Sequence, residues 1–563
     1  MKNRVCTVLC LFTMLGFVLG FVQEQWHPFK LKPLAGVTFK TERPRLTLKN
    51  FISGTYQSTA EQYSRENFGF REAAIRGYNQ FIWSLFHETN CHFIVPGKDG
   101  WLFYKEAFND YYGIEPIHFY RTYDRAREWA RKDVRMMNKL RYVLKDYGIE
   151  FLCFMAPNKA EIYPEYLPYH TPAPADAINT AAYYDSLMTA IDFPHVEMTK
   201  WYTAMKDTAS FLLFPKRDMH WRYSAVYGYD SLFCYMNSLN DYGIPDIHVN
   251  GLYALDTTYL EVDEQTLNLI FPIPDDSPKY RPDITVDPGR KPKVLFIGDS
   301  FINDLETYLP WRDIMSKVEV WFYNKTAIKN FEEKQPIDGI NRLCSLLDAD
   351  YVVWYSSGYQ WNQATYDFVE DALLRLCVTD SLFEAQIPWV MDSLSSDSLF
   401  WKYHHQWQNS ENREDSLRHY AIKALRDNPE LIPGLGGETM PTIRNSQAIA
   451  LAQQANAIAD DRQWKTALNI QASRTGRTFD ELLDEEAENV MLGRPLMRQE
   501  IAVDTASIIE FEVHKLMEQW RNNPESVQFL EGKAKENGKT FEVVLEEDAR
   551  WVINERLRNG ELF

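Results

Sequence analysis

Lys293-Val294-Leu295-Phe296-Ile297-Gly298-Asp299-Ser300 decides the fold. A short, unbroken apolar run ended by glycine reads as a strand buried on both faces. A helical pattern follows, so Ser300 stands at the tip of a tight strand-to-helix turn. Open α/β sheets place their chemistry outside the C-terminal ends of such strands. Upstream stands Asp218-Met219-His220-Trp221, an Asp and a His two apart beside an aromatic. Ser, His and Asp are the three parts of an activated nucleophile: the hydroxyl attacks, the imidazole takes its proton, and the carboxylate orients the ring and stabilises its cation. Alone, each motif has a plainer reading. A serine after a strand ordinarily caps the next helix, and an Asp-x-His pair is ordinarily a local hydrogen bond. Together on one sheet they point to acyl transfer.

Working outward, the same rhythm recurs. Glu150–Ala156 is a second buried strand after a long amphipathic helix over 123–147, and Val318–Tyr323 and Tyr351–Tyr355 are two more. Alternating strands and helices predict an α/β domain with a parallel sheet flanked by helices. Val95-Pro96-Gly97-Lys98-Asp99-Gly100-Trp101-Leu102 reads as a hairpin turn. Residues 240–290 are rich in Pro, Asp and Tyr without period and read as a partly irregular insertion.

From 363 onwards strand signals vanish. Ala472-x3-Gly476-x-Thr478-Phe479 and its continuation to Val490 recur as Ala534-x3-Gly538-x-Thr540-Phe541 to Val552, a spacing of 62 residues. A C-cap glycine, an N-cap threonine and an acidic first turn define a duplicated helical hairpin in an all-α C-terminal region. One hairpin cannot bury its apolar stripe alone, so the copies are expected to pack on each other or on the α/β domain.

At 563 residues the chain exceeds one core. The expected division is a signal anchor (1–22), a Pro- and Lys-rich stalk (23–59), a catalytic domain (60–362) and the helical region (363–563). Lys2 and Arg4 precede an apolar run, Val5–Val22, of a length just sufficient to span a bilayer. Bulky Phe17, Leu19 and Phe21 stand where a small-residue cleavage site would be, favouring an uncleaved inner-membrane helix over a cleaved signal peptide. The positive flank would leave the rest of the chain in the periplasm. A net charge of −19 and the lack of a basic, aromatic-interleaved stripe speak against nucleic acid. Beyond the apolar run lie Cys91, Cys153, Cys234, Cys344 and Cys377. Cys91 is the first candidate for any disulfide, the other four read as buried thiols, and no spacing suggests a zinc site. Nothing calls for a cofactor or metal.

Asp218-x-His220-Trp221 with Gly298-Asp299-Ser300, the Val95–Phe103 hairpin and Ala156-Pro157-Asn158-Lys159…Tyr163-Pro164 resembles the SGNH-hydrolase-like proteins of the alginate O-acetyltransferase type (AlgX/AlgJ and the related DHHW proteins). The order, with Asp and His before Ser, fits that family. The resemblance covers roughly 60–360. It implies an SGNH-like domain that O-acetylates an exported exopolysaccharide, with a membrane-bound O-acyltransferase as acetyl source. In those roles Ser300 is the nucleophile, His220 the general base and acid, and Asp218 the group that orients His220. Asn324 is the oxyanion candidate, and Trp221, with Trp354, Tyr359 and Trp361, could stack on sugar. Two features depart from the family: no ordinary SGNH asparagine block, and helices where a carbohydrate-binding β-module would stand. The negative charge disfavours a polyuronate. A carbohydrate acetyl-esterase would share the same machinery. A non-catalytic assembly scaffold would not need all three residues.

Overall fold

The computed structural model describes residues 2–36, 41–113, 123–168, 180–255, 262–274, 277–363, 366–408, 412–494 and 505–558. The chain divides into two compact units, Met1–Lys334 with Asp350–Val369, and Gln335–Ala349 with Glu370–Phe563.

In the first unit, β1 (Ile94–Pro96) and β2 (Leu102–Tyr104) form an antiparallel hairpin. The main sheet uses β3 (Glu150–Ala156), β4 (His195–Glu197), β7 (Lys293–Gly298), β8 (Lys317–Phe322), β9 (Thr326–Lys329), β10 (Glu333–Pro336) and β11 (Tyr351–Ser357), in the order β10-β9-β8-β7-β11-β3-β4. Strands β8, β7, β11, β3 and β4 run parallel; β9 returns antiparallel on β8. Val294–Ile297 and the whole of β11 are buried, as two helix-covered faces require. Each such aliphatic or aromatic side chain contributes about 1.5–3 kcal/mol.

Two strands approach so closely at the site that no side chain fits between them. A Cβ on Gly298 would lie 2.0 Å from the Tyr355 carbonyl oxygen. Gly298→Ala is therefore expected to cost about 2 kcal/mol through overpacking, read as a lower urea midpoint at unchanged slope.

The segment read as irregular insertion holds a second ladder. β5 (Ile247–Leu255) pairs antiparallel with β6 (Lys279–Val286). Most β5 side chains are exposed or half-exposed, so no apolar alternation marks the strand.

The membrane-anchor expectation is corrected. Residues Lys2–Trp26 are helical, but among the described residues no helix is long and apolar enough to cross a membrane. The transmembrane, inner-membrane and single-pass topology readings fall with it. The end of this helix is a packing element instead. Gly20 and Gln23 are buried, and a Cβ on Gly69 would lie 2.3 Å from the Gly20 carbonyl oxygen. The Gln23 amide exchanges hydrogen bonds with the Phe29 backbone at 2.7 and 3.0 Å.

The cysteine reading also changes in part. All five described cysteines are free thiols, and Cys234 is exposed rather than buried, with its Sγ 3.7 Å from Asp230 Oδ1. Its helix turns that residue to solvent while Leu232 and Phe233 face the core.

From Glu370 onwards the described residues form helices and turns without strands. The repeated segments become Arg462–Thr475 with Phe479–Leu492, and Pro524–Asn537 with Phe541–Arg558. Gly476 and Gly538 take φ of 69° and 64° at the turns, and Thr478 closes a capping box with Glu481. Each hairpin finds a third helix: Ser446–Asp460 for the first, Thr505–Arg521 for the second. In the second copy Val513, Leu516 and Met517 join Leu530, Val544, Leu545 and Ile553 in one core.

Candidate active site

The site lies where four parallel strands end. β7 delivers Ser300, β8 Tyr323, β11 Ser357 and Tyr359, and β3 Lys159. Asp299 Oδ1 accepts from the Phe301 N–H at 3.0 Å and so caps the turn carrying Ser300. Asp299 Oδ2 accepts from the Ser357 N–H and hydroxyl at 2.9 and 2.8 Å, tying β7 to β11. The Asp of Gly-Asp-Ser thus fixes the turn.

Ser300 Oγ lies 2.9 Å from His220 Nε2. On the other side of the ring, His220 Nδ1 lies 2.9 Å from Asp218 Oδ1, which also accepts from the His220 N–H at 3.0 Å. Asp218 Oδ2 accepts from Arg222 Nε at 2.7 Å and from its Nη2. Arg222 itself sits at φ 53°, a left-handed position that costs a non-glycine residue. Asp304 holds it there, accepting from the Arg222 N–H at 3.0 Å. Burial alone would raise the Asp218 carboxyl, but the His220 hydrogen bond and the Arg222 charge outweigh it and hold the group well below the carboxylate range. Burial would lower His220, yet the bond and charge of Asp218 prevail and raise it.

Behind this chain Lys159 is almost fully buried. It donates to the carbonyls of Leu102 and Lys216 at 2.8 Å and of Asp218 at 3.0 Å. Lys159→Met would leave these three carbonyls short of a charged donor. It is expected to lower unfolding free energy by about 3 kcal/mol, measurable by urea titration.

The remaining sequence candidates are placed differently. Trp221 is completely buried, against Gly228, whose Cβ would lie 2.5 Å from the indole, and near Phe154 and Phe301. It supports the site from below and presents no face to a sugar, which corrects its reading as a substrate contact. Trp354 is likewise fully buried in β11, and the side chain of Trp361 lies outside the described residues. Asn324 Nδ2 donates to the Tyr366 carbonyl at 2.8 Å, while its Oδ1 is buried without a hydrogen-bond partner.

Sequence reasoning missed the neighbour. Tyr323 stands beside the Ser300 turn, and Ser300 partly offsets the rise of its hydroxyl. Its N–H donates to the Gly298 carbonyl at 2.8 Å, which pins it beside the nucleophile turn. Burial first, then the Asp299 carboxylate, push the Tyr323 hydroxyl up, so it stays protonated and can donate. Arg222 and Asp304 also escaped notice, and Lys159 stood only in the segment that carries the family resemblance, with no role given to it. Only the spacing of Asp218 and Arg222, four residues apart, hinted at a pair.

A parallel sheet with a serine at one strand end and an Asp-x-His pair facing it defines an SGNH-hydrolase-like α/β domain. Residues 94–229 match the family described as the SGNH hydrolase-like domain of the acetyltransferase AlgX; the match includes Asp218 and His220 and stops before Ser300. Over 210 residues the chain is 24% identical to the probable alginate O-acetylase AlgJ of Pseudomonas aeruginosa, covering 37% of this chain and 46% of that protein. Similar solved structures include the O-acetyltransferase domain of Pseudomonas putida AlgJ (15% identity, 48% of this chain, 92% of that one, TM-score 0.32). Pseudomonas aeruginosa AlgX (13%, 50% and 66%, 0.30) and Bacillus cereus PatB1 (12%, 48% and 98%, 0.30) are others. The chain carries an SGNH-hydrolase-like domain related to the AlgX/AlgJ-type alginate O-acetyltransferases. That relation is to enzymes of acyl transfer and ester hydrolysis. The AlgJ match spans less than half of that protein's length.

Proposed function

We propose that this protein is a polysaccharide O-acetyltransferase that works through an acetyl-enzyme on Ser300. The observation that carries the reading is the unbroken hydrogen-bond chain Ser300–His220–Asp218, continued by Arg222. His220 Nε2 takes the Ser300 proton as Oγ attacks an acetyl ester carbonyl. The Oγ–carbon bond forms, and the carbonyl electron pair moves to oxygen. When the pair returns, the ester C–O bond breaks and His220 gives the proton to the leaving alcohol. A sugar hydroxyl then repeats the sequence on acetyl-Ser300, with His220 as base, and frees the serine. Asp218 stabilises the imidazolium in both halves. The Tyr323 hydroxyl, next to the nucleophile turn and kept protonated, is the donor this reading assigns to the developing oxyanion. Tyr323→Phe is accordingly expected to lower kcat by roughly a hundredfold, with KM for a small acetyl ester little changed.

Incubation with p-nitrophenyl acetate and an oligosaccharide tests the whole reading. Acetyl should appear on Ser300 and then on the sugar, followed by mass spectrometry. An acetyl-enzyme that passes its acetyl only to water would make the protein an esterase.

A further inference from the structure

We infer that Asp304 is a positioning residue for the Ser300–His220–Asp218 chain: through Arg222 it returns to His220 the negative charge that Arg222 takes from Asp218. The consequence for turnover rests on the acetyl-transfer reading above; the effect on the imidazole does not.

A triad of this kind sets one carboxylate against one imidazolium. Here that carboxylate is shared. Asp218 Oδ1 faces His220 Nδ1 at 2.9 Å, while its Oδ2 accepts from Arg222 Nε at 2.7 Å and from Nη2. A guanidinium keeps its charge at every working pH, so the Asp218–Arg222 pair is neutral, and a neutral pair stabilises an imidazolium poorly. A second carboxylate restores the balance. Asp304 is buried. Its Oδ2 accepts from the Arg222 N–H at 3.0 Å and its Oδ1 from Arg222 Nη1 at 3.4 Å. Two carboxylates and one guanidinium carry one net negative charge. Protonated His220 brings the cluster to neutrality; neutral His220 leaves a buried charge uncompensated. The cluster is therefore complementary to the state in which His220 holds the Ser300 proton.

The same pair joins the two motif segments. Arg222 stands four residues after Asp218 and opens the turn Arg222–Ser224. Asp304 stands four residues after Ser300, in the first turn of the helix Asn303–Tyr308. Their contact binds the Asp-His segment to the nucleophile segment by a route separate from the His220–Ser300 bond. The left-handed Arg222 backbone, at φ 53°, is what turns its N–H to Asp304. Strain of this kind persists where the surroundings over-determine it, and it clusters at functional sites.

The other charges around His220 are common to every variant considered below. Burial lowers the imidazole and Asp218 raises it; of the smaller influences, Asp304 raises it and Arg222 lowers it. Asp299 and Asp263 also act on the ring, and Lys159 is bonded to the Asp218 carbonyl. Burial raises the Asp304 carboxyl itself, while Arg222 and then His220 pull it back. Asp304 keeps its charge because Arg222 is there, so the two act as one unit.

The test follows the imidazole and the reaction separately, on the full-length protein. The His220 titration is read by NMR of histidine-labelled protein, with the ring assigned by the signal lost in His220→Ala. Turnover of p-nitrophenyl acetate is read over the same pH range. Asp304→Asn keeps the shape of the side chain and can still accept from the Arg222 N–H. It should move the His220 midpoint, and the rise of turnover with it, about one pH unit lower. It should also lower kcat by about tenfold and leave KM unchanged. Asp304→Ser, smaller and equally uncharged, should give the same shift and serves if the amide variant does not fold. In Arg222→Gln the cation that keeps Asp304 charged is gone, so adding Asp304→Asn there should move the midpoint little further. Thermal melts establish that each variant is folded. A purely structural Asp304 would lower the melt and leave the midpoint in place, and an unmoved midpoint in a folded variant overturns the inference. So does an equal shift with and without Arg222, which would mean that Asp304 does not act through it. A moved midpoint in a protein that forms no acetyl-Ser300 is a different outcome: the inference stands and the acetyl-transfer reading falls.

Discussion

Ser300→Ala is expected to reduce acetyl-ester turnover by about ten-thousand-fold or more and leave the protein folded. In the proposed reaction the hydroxyl is the atom that bonds to the acetyl carbon, and the groups nearest it are committed elsewhere. Asp299 is committed to the turn and to Ser357. The described thiols Cys153, Cys344 and Cys377 are buried, and Cys153 and Cys377 are pushed well up by burial. In the folded state the substitution removes one hydrogen bond, to His220, worth about 1 kcal/mol. His220→Ala should be as damaging, because an unassisted serine hydroxyl is a poor nucleophile. The double variant should be little worse than either single one, since residues acting as a unit lose their effect once. Release of p-nitrophenol alongside a circular-dichroism melt measures both halves. Full turnover in Ser300→Ala would mean that another nucleophile does the work.

The parts of this fold legible in the sequence are those where burial on two faces forces an uninterrupted apolar run. β3, β7 and β11 are of that kind, and each is nearly or wholly buried. β5 and β6 escaped because their outer residues face water, where His248, Asn250 and Asp283 are as acceptable as valine. β4, β9 and β10 are only three or four residues long, too short for any period to show. In the candidate site, the juxtaposition of Ser300, His220 and Asp218 was legible because an activated nucleophile calls for those three residue types. The groups around them were not. Lys159 and Asp304 work from inside the fold, where only tertiary structure brings a cation to three carbonyls or a carboxylate to a strained backbone N–H. Two consecutive left-handed residues, Tyr323 and Asn324 at φ 50° and 51°, follow β8; they set Tyr323 beside the Ser300 turn and spend the Asn324 amide on Tyr366. Trp221 looked like a sugar platform because it adjoins His220 in sequence. Its indole instead fills the floor beneath the helix Ala225–Asn240, and Gly228 makes the room.

Asp218→Asn should carry the other large effect, lowering kcat by about ten-thousand-fold and moving the pH profile to lower pH. An amide can hold the ring but cannot stabilise the imidazolium, and it can present its N–H₂ to His220 and favour the wrong tautomer. The pH shift follows from the charges facing His220: Asp218, Asp304 and Arg222 from its own neighbourhood, and the partly protonated Asp263, pushed up to about 7 by burial and by Asp218. With Asp218 charged, His220 titrates above its ordinary value of 6.5. As a base it must be neutral, so turnover should rise as pH climbs through that raised value. In Asp218→Asn the largest raising influence is gone, burial and the smaller pull of Asp304 remain, and the residual activity should rise at lower pH. Stability runs the opposite way. A histidine raised in the folded state stabilises it fully below the unfolded value, and that contribution is lost as pH rises through the folded one. The protein therefore becomes catalytically competent over the same pH window in which it gives up the His220–Asp218 ion pair. In Asp218→Asn both trends should weaken together, seen in kcat and in urea midpoints across pH 5 to 9. A variant whose turnover rises at the wild-type pH would uncouple Asp218 from His220 and leave Arg222 and Asp304 as the groups that set the imidazole.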